Sequence, residues 1–163
     1  IGHMYEQVKN LSNFLKEFLN CKIILGGHLA THSYKTILNC TKIDICVLNE
    51  GESTIIDLLQ NLNSLSLVSG IAFKKENEIC LTKPRQLIED LDSIPFPAYE
   101  LFNIEQYSKT NDVYLSKKYF SKIKKNQLGS YRKMTLESGR GCPFSCNFCS
   151  KTFSTVRKRS IEN

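Results

Sequence analysis

Apolar positions Val8, Leu11, Phe14, Leu15 and Phe18 recur at helical spacing through residues 5–20, YEQVKNLSNFLKEFLN, and predict a helix that buries them on one face. Residues 1–4, Ile-Gly-His-Met, read as a tag remnant and are set aside. KIIL at 22–25 is a short continuous apolar run, as in a buried strand, and it ends at Gly26-Gly27. A helix over about 32–39 follows, then a second apolar strand, IDICVL at 43–48. NEGE at 49–52 makes a turn, and Ser53 or Thr54 is placed to cap the helix TIIDLLQNL. Alternating helices and strands with short connections predict parallel strands at 22–26 and 43–48, adjacent and joined by a right-handed crossover.

After Gly70 the pattern changes. GIAFKK and EICLTK predict a hairpin with Lys75-Glu76-Asn77-Glu78 at its turn. Residues 84–102, PRQLIEDLDSIPFPAYELF, hold three of the four prolines and read as an extended connector with one short helix. Residues 103–130 are polar and basic with weak periodicity, and KMTLES at 133–138 predicts a last strand. No internal repeat is visible, and the domain boundary is expected between 84 and 130.

Composition narrows the class. The 163 residues, 41% hydrophobic and 23% charged, suit about one soluble globular domain. No apolar run reaches the ~18–20 residues of a membrane span, and no secretory signal pattern opens the chain. Four of the seven cysteines (Cys21, Cys40, Cys46, Cys80) are scattered, with Cys21 and Cys46 in apolar runs as small hydrophobes. An odd, scattered set is no disulfide framework. It points to a reducing compartment, the cytoplasm, where clustered thiols mean metal or catalysis. The net charge of +6 is uneven, because residues 115–163 carry twelve Lys/Arg against Glu137 and Glu162. That basic end suits RNA or another anion, although a solvated face such as KKYFSKIKK at 117–125 accounts for it as well.

The strongest chemical signal is GRGCPFSCNFCS at 139–150, where Cys142, Cys146 and Cys149 are spaced C-x₃-C-x₂-C. Thiolates are soft ligands for zinc, copper(I) or iron–sulfur clusters. Structural zinc takes four ligands, usually from two knuckles. No second knuckle exists here, and His3, His28 and His32 all lie far upstream. A cubane cluster uses one cysteine per iron, so three would leave one iron open to a substrate or cofactor. Gly139, Gly141 and Pro143 suit a loop that closely approaches a bulky group.

With Phe148 as the aromatic before the last cysteine, Cys142, Cys146 and Cys149 match the C-x₃-C-x-φ-C motif, and the chain resembles the radical S-adenosylmethionine superfamily. The resemblance implies a [4Fe–4S] cluster on the three cysteines, with S-adenosylmethionine (SAM) chelated at the open iron. It further implies reductive cleavage to a 5′-deoxyadenosyl radical, Phe148 near the adenine, and a reductant such as flavodoxin or ferredoxin.

Upstream, GGHLAT (26–31), NEGE (49–52), GIAF (70–73) and LDSIPFPAYEL (91–101) occur in that order before the cysteines. Together they resemble the group with a cobalamin-binding domain ahead of the radical barrel, many of whose members are methyltransferases. Open α/β sheets bind ligands at the carboxyl edge of their strands. The resemblance accordingly implies that Gly26, Gly27, His28, Gly51 and Glu52 face cobalamin. Read without the family, these residues are ordinary turn chemistry, with Glu52 starting a helix. His28 and His32 are four residues apart and would pair on a metal if both were helical, but Gly26-Gly27 predicts a loop at His28.

The expected fold is α/β: a partial Rossmann-like (flavodoxin-like) parallel sheet with a β-hairpin and linker, then the first strand and cluster loop of an incomplete (β/α) barrel. Residues 5–83 would be the C-terminal part of a cobalamin-binding-like domain, 84–130 the linker, and 131–163 the start of the radical SAM domain. Such a domain has further strand–helix units before the position of Tyr5, and the D-x-H-x-x-G signature of histidine-ligating cobalamin domains is absent. The expectation is a fragment of a cobalamin-dependent radical SAM enzyme, inactive by itself. One rival is a radical SAM enzyme that methylthiolates tRNA. Another is a noncatalytic α/β binding module with a zinc or iron–sulfur knob.

Overall fold

A computed structural model describes residues 2–103 and 136–162. Residues 1–89 with 141–155 make one compact unit, and residues 90–140 with 156–163 make a second. The basic stretch 117–125 and the first half of the strand expected at 133–138 lie outside the described residues.

In the first unit, α1 (Gly2–Phe18), β1 (Ile24–Leu25), α2 (Gly27–Cys40), β2 (Ile45–Val47), α3 (Glu52–Gln60), β3 (Ile71–Lys75) and β4 (Glu78–Leu81) follow in order. The sheet order is β1-β2-β3-β4. β1 and β2 run parallel, with Ile24 opposite Ile45 and Leu25 opposite Cys46, as the alternating pattern predicts. β3 returns antiparallel to β2 and forms a hairpin with β4. Glu76 and Asn77 both take positive φ at the hairpin turn, the left-handed geometry of tight two-residue connections.

β2 is buried on both faces, which explains its unbroken apolar run. Cys46 and Ala72 face Leu29, Ile37 and Leu38 of α2, with Tyr5 and Val8 of α1 packed alongside. Ile45, Val47, Ile71 and Phe73 face the other way, onto Leu58 of α3 and Val68. Asp44 ties the layers at one edge. Its carboxylate accepts from the Ile23 amide at 2.6 Å and pairs with Lys16 of α1 at 2.9 Å.

Several local expectations are corrected. The face of α1 that packs is Tyr5, Val8, Ser12 and Leu15, while Leu11, Phe14 and Phe18 are exposed. Ser12 is the buried centre of that face, accepting from the Lys42 amide at 3.2 Å. The buried face of the helix is thus turned away from the phase its apolar residues suggest. α2 starts at Gly27 rather than near residue 32, and a kink at Ser33 absorbs the extra turn. α3 begins at Glu52 after Gly51, with no side-chain cap. Thr54 is instead buried, its hydroxyl aimed at the Glu50 carbonyl.

The connector carries two 3₁₀ turns, Leu91–Ser93 and Tyr99–Leu101, and no longer helix. Residues 136–138 are not a strand. The short strand is β5 (Gly139–Arg140), paired antiparallel with β6 (Arg157–Lys158). Cys21 is exposed, because the strand starts only at Ile24.

All seven cysteines are free thiols. Cys46 is fully buried, and desolvation pushes its thiol from 9.0 up to about 12. The unfolded chain would release this proton near pH 9 while the folded chain keeps it. The stability that Cys46 contributes is therefore intact below pH 9 and is lost as pH rises toward 12. Above pH 9 the unfolding free energy should fall more steeply than in Cys46→Ala, by up to about 1.4 kcal/mol per pH unit. Urea unfolding of both chains between pH 8 and 11 checks this, and identical slopes would refute it.

Candidate functional site

The sheet's carboxyl edge is built from the loops after β1 and β2. Gly26 is extended (φ −119°), and a Cβ there would come no closer than 4.0 Å to Val47 Cβ. Gly27 has φ +82° with nothing within 4 Å of an added Cβ. Only glycine adopts that backbone without strain, and the space beside it is open to a ligand. Gly51 sits over the same strand, where a Cβ would be 3.4 Å from Val47 Cγ1. Val47 is thus the floor under both glycine loops. Glu52 lies in the first turn of α3.

Two residues that sequence reasoning missed hold this edge in shape. The Asn49 amide, in a left-handed residue (φ 61°), donates to Thr31 Oγ1 of α2 at 2.9 Å. Glu50 is buried, and its carboxylate accepts from the Ile88 amide at 2.7 Å. Thus the first glutamate of NEGE anchors the start of the connector and Glu52 begins the helix. A turn-forming Asn-Glu-Gly carries no signal of these distant partners.

His28 lies inside α2, correcting the expected loop, and its ring stacks on His32 with centroids 6.0 Å apart and planes 5° from parallel. Thr152 Oγ1 lies 3.1 Å from both His28 Nδ1 and His32 Nε2. A hydroxyl can donate to one imidazole nitrogen and accept from the other ring, so Thr152 can bond both histidines at once. Thr152 comes three residues after Cys149. The segment bearing the cysteines is thereby held at the amino end of α2, beside Gly26-Gly27. Nothing in the sequence marks Thr152.

The cysteine loop leaves Gly141 with φ 91°. The Cys142 amide donates to the Phe153 carbonyl at 3.2 Å across the loop, and the Cys149 amide donates to the Cys146 carbonyl at 3.1 Å in a turn. Lys151 reaches back to donate to the Phe144 carbonyl at 2.9 Å. Cys142 is half-buried, and Cys146 and Cys149 are exposed. Phe148 is 93% exposed, so the side chain expected near an adenine touches no pocket wall.

Among the described residues, no three His, Cys, Asp or Glu side chains converge as a formed metal site. The donor set nevertheless fits an iron–sulfur cluster in kind. Its three free thiols are soft and near in sequence, and two of them are exposed. Among the described residues, no helix is long and apolar enough to cross a membrane.

Fold and site together define an α/β sheet domain with an open glycine edge, joined to a loop of three free thiols. The chain is 34% identical, over 87% of its length, to an anaerobic magnesium-protoporphyrin IX monomethyl ester cyclase of Synechocystis, covering 26% of that protein. It is 29% identical over 82% of its length to an uncharacterized methyltransferase of Pyrococcus horikoshii, again covering 26%. A cytidylyl-2-hydroxyethylphosphonate methyltransferase of Streptomyces wedmorensis is 28% identical over 85% of the chain. Over most of its length the chain is thus similar to radical SAM enzymes of the cobalamin-binding-domain group, which supports the resemblance drawn from its motifs. It spans about a quarter of the length of the first two of these relatives. No family model matches it.

Proposed function

We propose that this chain is the piece of a cobalamin-dependent radical SAM enzyme that carries both cofactor-facing loops. Cys142, Cys146 and Cys149 hold a [4Fe–4S] cluster by three of its irons, leaving the fourth for SAM. Phe148 covers the adenine once SAM is bound. Gly26, Gly27, His28, Gly51 and Glu52 line the cobalamin side, where the glycines admit close backbone approach and the first turn of α2 presents free amides. When bound, the cluster supplies one electron that breaks a carbon–sulfur bond of SAM, releasing methionine and a 5′-deoxyadenosyl radical. The whole enzyme uses that radical for methyl transfer or a related radical modification. It works in the cytoplasm, with a small reductant such as flavodoxin or ferredoxin, and the seven free thiols agree with that setting.

The observation that carries this reading is the hydrogen-bond pair from Thr152 to His28 and His32. It puts the cysteine segment and the glycine edge in one compact unit. A cofactor on each would lie within reach of the other, as methyl transfer between them requires. The test is anaerobic reconstitution of the chain with iron and sulfide, followed by addition of SAM. A cluster whose electron paramagnetic resonance spectrum changes with SAM is the expected result, since only an open iron can bind it. Zinc held tetrahedrally by the three cysteines, seen at the absorption edge, would refute it.

A further inference from the structure

In the second unit, β5 and β6 are the stem from which the cysteine loop departs at Arg140 and to which it returns at Arg157. Each strand is only two residues long, with Gly139 opposite Lys158 and Arg140 opposite Arg157. An isolated two-stranded ribbon is marginal in water, and this one must also offset the closure entropy of the long loop between its strands. A Cβ on Gly139 would lie 2.8 Å from the Arg157 carbonyl, so the strands approach as closely as glycine permits.

What holds this stem comes from the connector. Ser160, just past β6, donates its amide to both carboxylate oxygens of Asp92 at 3.1 Å. Arg159 donates to the Ile94 carbonyl at 3.0 Å and lays its guanidinium 4.8 Å from the centre of the Phe96 ring. Its amide donates to the Ser138 carbonyl at 3.0 Å, extending the ladder by one rung.

The connector is shaped beforehand for these contacts. Asp90 accepts from the Asp92 amide at 3.0 Å and, through its carbonyl, from Ser93 Oγ at 2.6 Å, which closes the 3₁₀ turn that aims Asp92. Pro95 and Pro97 fix the backbone on either side of Phe96, so little freedom is lost when its ring meets Arg159.

We propose that residues 91–97, Leu-Asp-Ser-Ile-Pro-Phe-Pro, are a positioning clasp for the cysteine loop, with Asp92 and Phe96 gripping the strand on which that loop returns. This rests on the reading of the loop as a cluster site. Clasped, the stem fixes both ends of the loop and limits how far the three thiolates must move to gather on one cluster. Released, the loop ends separate and the cluster loses ligands. Asp92 and Phe96 are positioning residues, acting on the loop through Ser160 and Arg159.

The experiment uses the chain, anaerobically reconstituted, and follows iron release to a chelator together with the paramagnetic signature of the reduced cluster. Phe96→Ala and Asp92→Ala should each speed iron release about ten-fold, the scale on which outer-shell partners tune metal sites. Phe96→Trp keeps an aromatic face and should restore the rate to within about two-fold. Phe96 is 45% exposed, so its truncation opens no core cavity, and the unfolding midpoint of the α/β unit should not move. Wild-type release rates in both alanine variants would overturn the clasp while leaving the cluster assignment intact. Fast release in Phe96→Ala that Phe96→Trp fails to restore would also overturn it. A wild-type chain that assembles no cluster would instead overturn the assignment of the loop.

Discussion

Cys146→Ala should assemble no [4Fe–4S] cluster under conditions that load the unsubstituted chain, and the whole enzyme bearing it should form no 5′-deoxyadenosine. Cys142→Ala and Cys149→Ala should behave alike. A cubane held by three protein thiolates has no spare ligand, so the loss of one leaves a second iron without a protein thiolate. The other four cysteines are the controls. Cys21 and Cys40 are exposed, and their replacement should leave both cluster and stability unchanged. Cys46→Ala should cost about 1–2 kcal/mol through lost packing, because its thiol is fully buried between β2 and α2. Iron and sulfide analysis with the optical spectrum reads the first effect, and urea unfolding the second. A full cluster in Cys146→Ala would remove the basis of the functional proposal.

The second large effect is expected at the glycine edge. Gly26→Phe in the whole enzyme should weaken cobalamin binding on the order of ten-fold or more, equivalent to about 1.4 kcal/mol for each factor of ten. It should leave cluster assembly untouched. Gly26 is the cleaner of two choices. Its backbone is extended, which any residue adopts, and its Cβ would meet only Val47 at a comfortable 4.0 Å. Loss of binding would then reflect occlusion of the space above the edge. Gly27→Phe adds strain, because φ is +82° and an L side chain there costs roughly 1–2 kcal/mol. Equilibrium dialysis against cobalamin, with thermal unfolding alongside, separates the two contributions. Unchanged affinity in Gly26→Phe would leave a radical enzyme whose upstream domain binds something else.

The parallel pair β1–β2 and the β3–β4 hairpin were legible because each is written in short-range pattern. Unbroken apolar runs mark β1 and β2, of which β2 is buried on both faces, and Glu76-Asn77 marks a turn. The phase of α1 was not legible. Leu11, Phe14 and Phe18 outvote Ser12 in any hydropathy pattern, yet Ser12 is the residue buried, where it accepts from the Lys42 amide beside Tyr5 and Val8 on the packed face. The start of α2 was hidden for a similar reason. Two glycines read locally as loop, and only the sheet edge and the kink at Ser33 let the helix begin at Gly27.

The sequence by itself determined which chemistry this protein can host: three soft ligands on one loop, a glycine edge after a strand, and the order of motifs joining them. Tertiary structure alone decided where that chemistry is held. Thr152 meets His28 and His32, Glu50 reaches Ile88, and Asp92 and Phe96 grip Ser160 and Arg159. Each is a contact between single polar or aromatic groups far apart in the chain. No local period encodes such contacts, since their energy appears only once the backbone has brought donor and acceptor within about 3 Å.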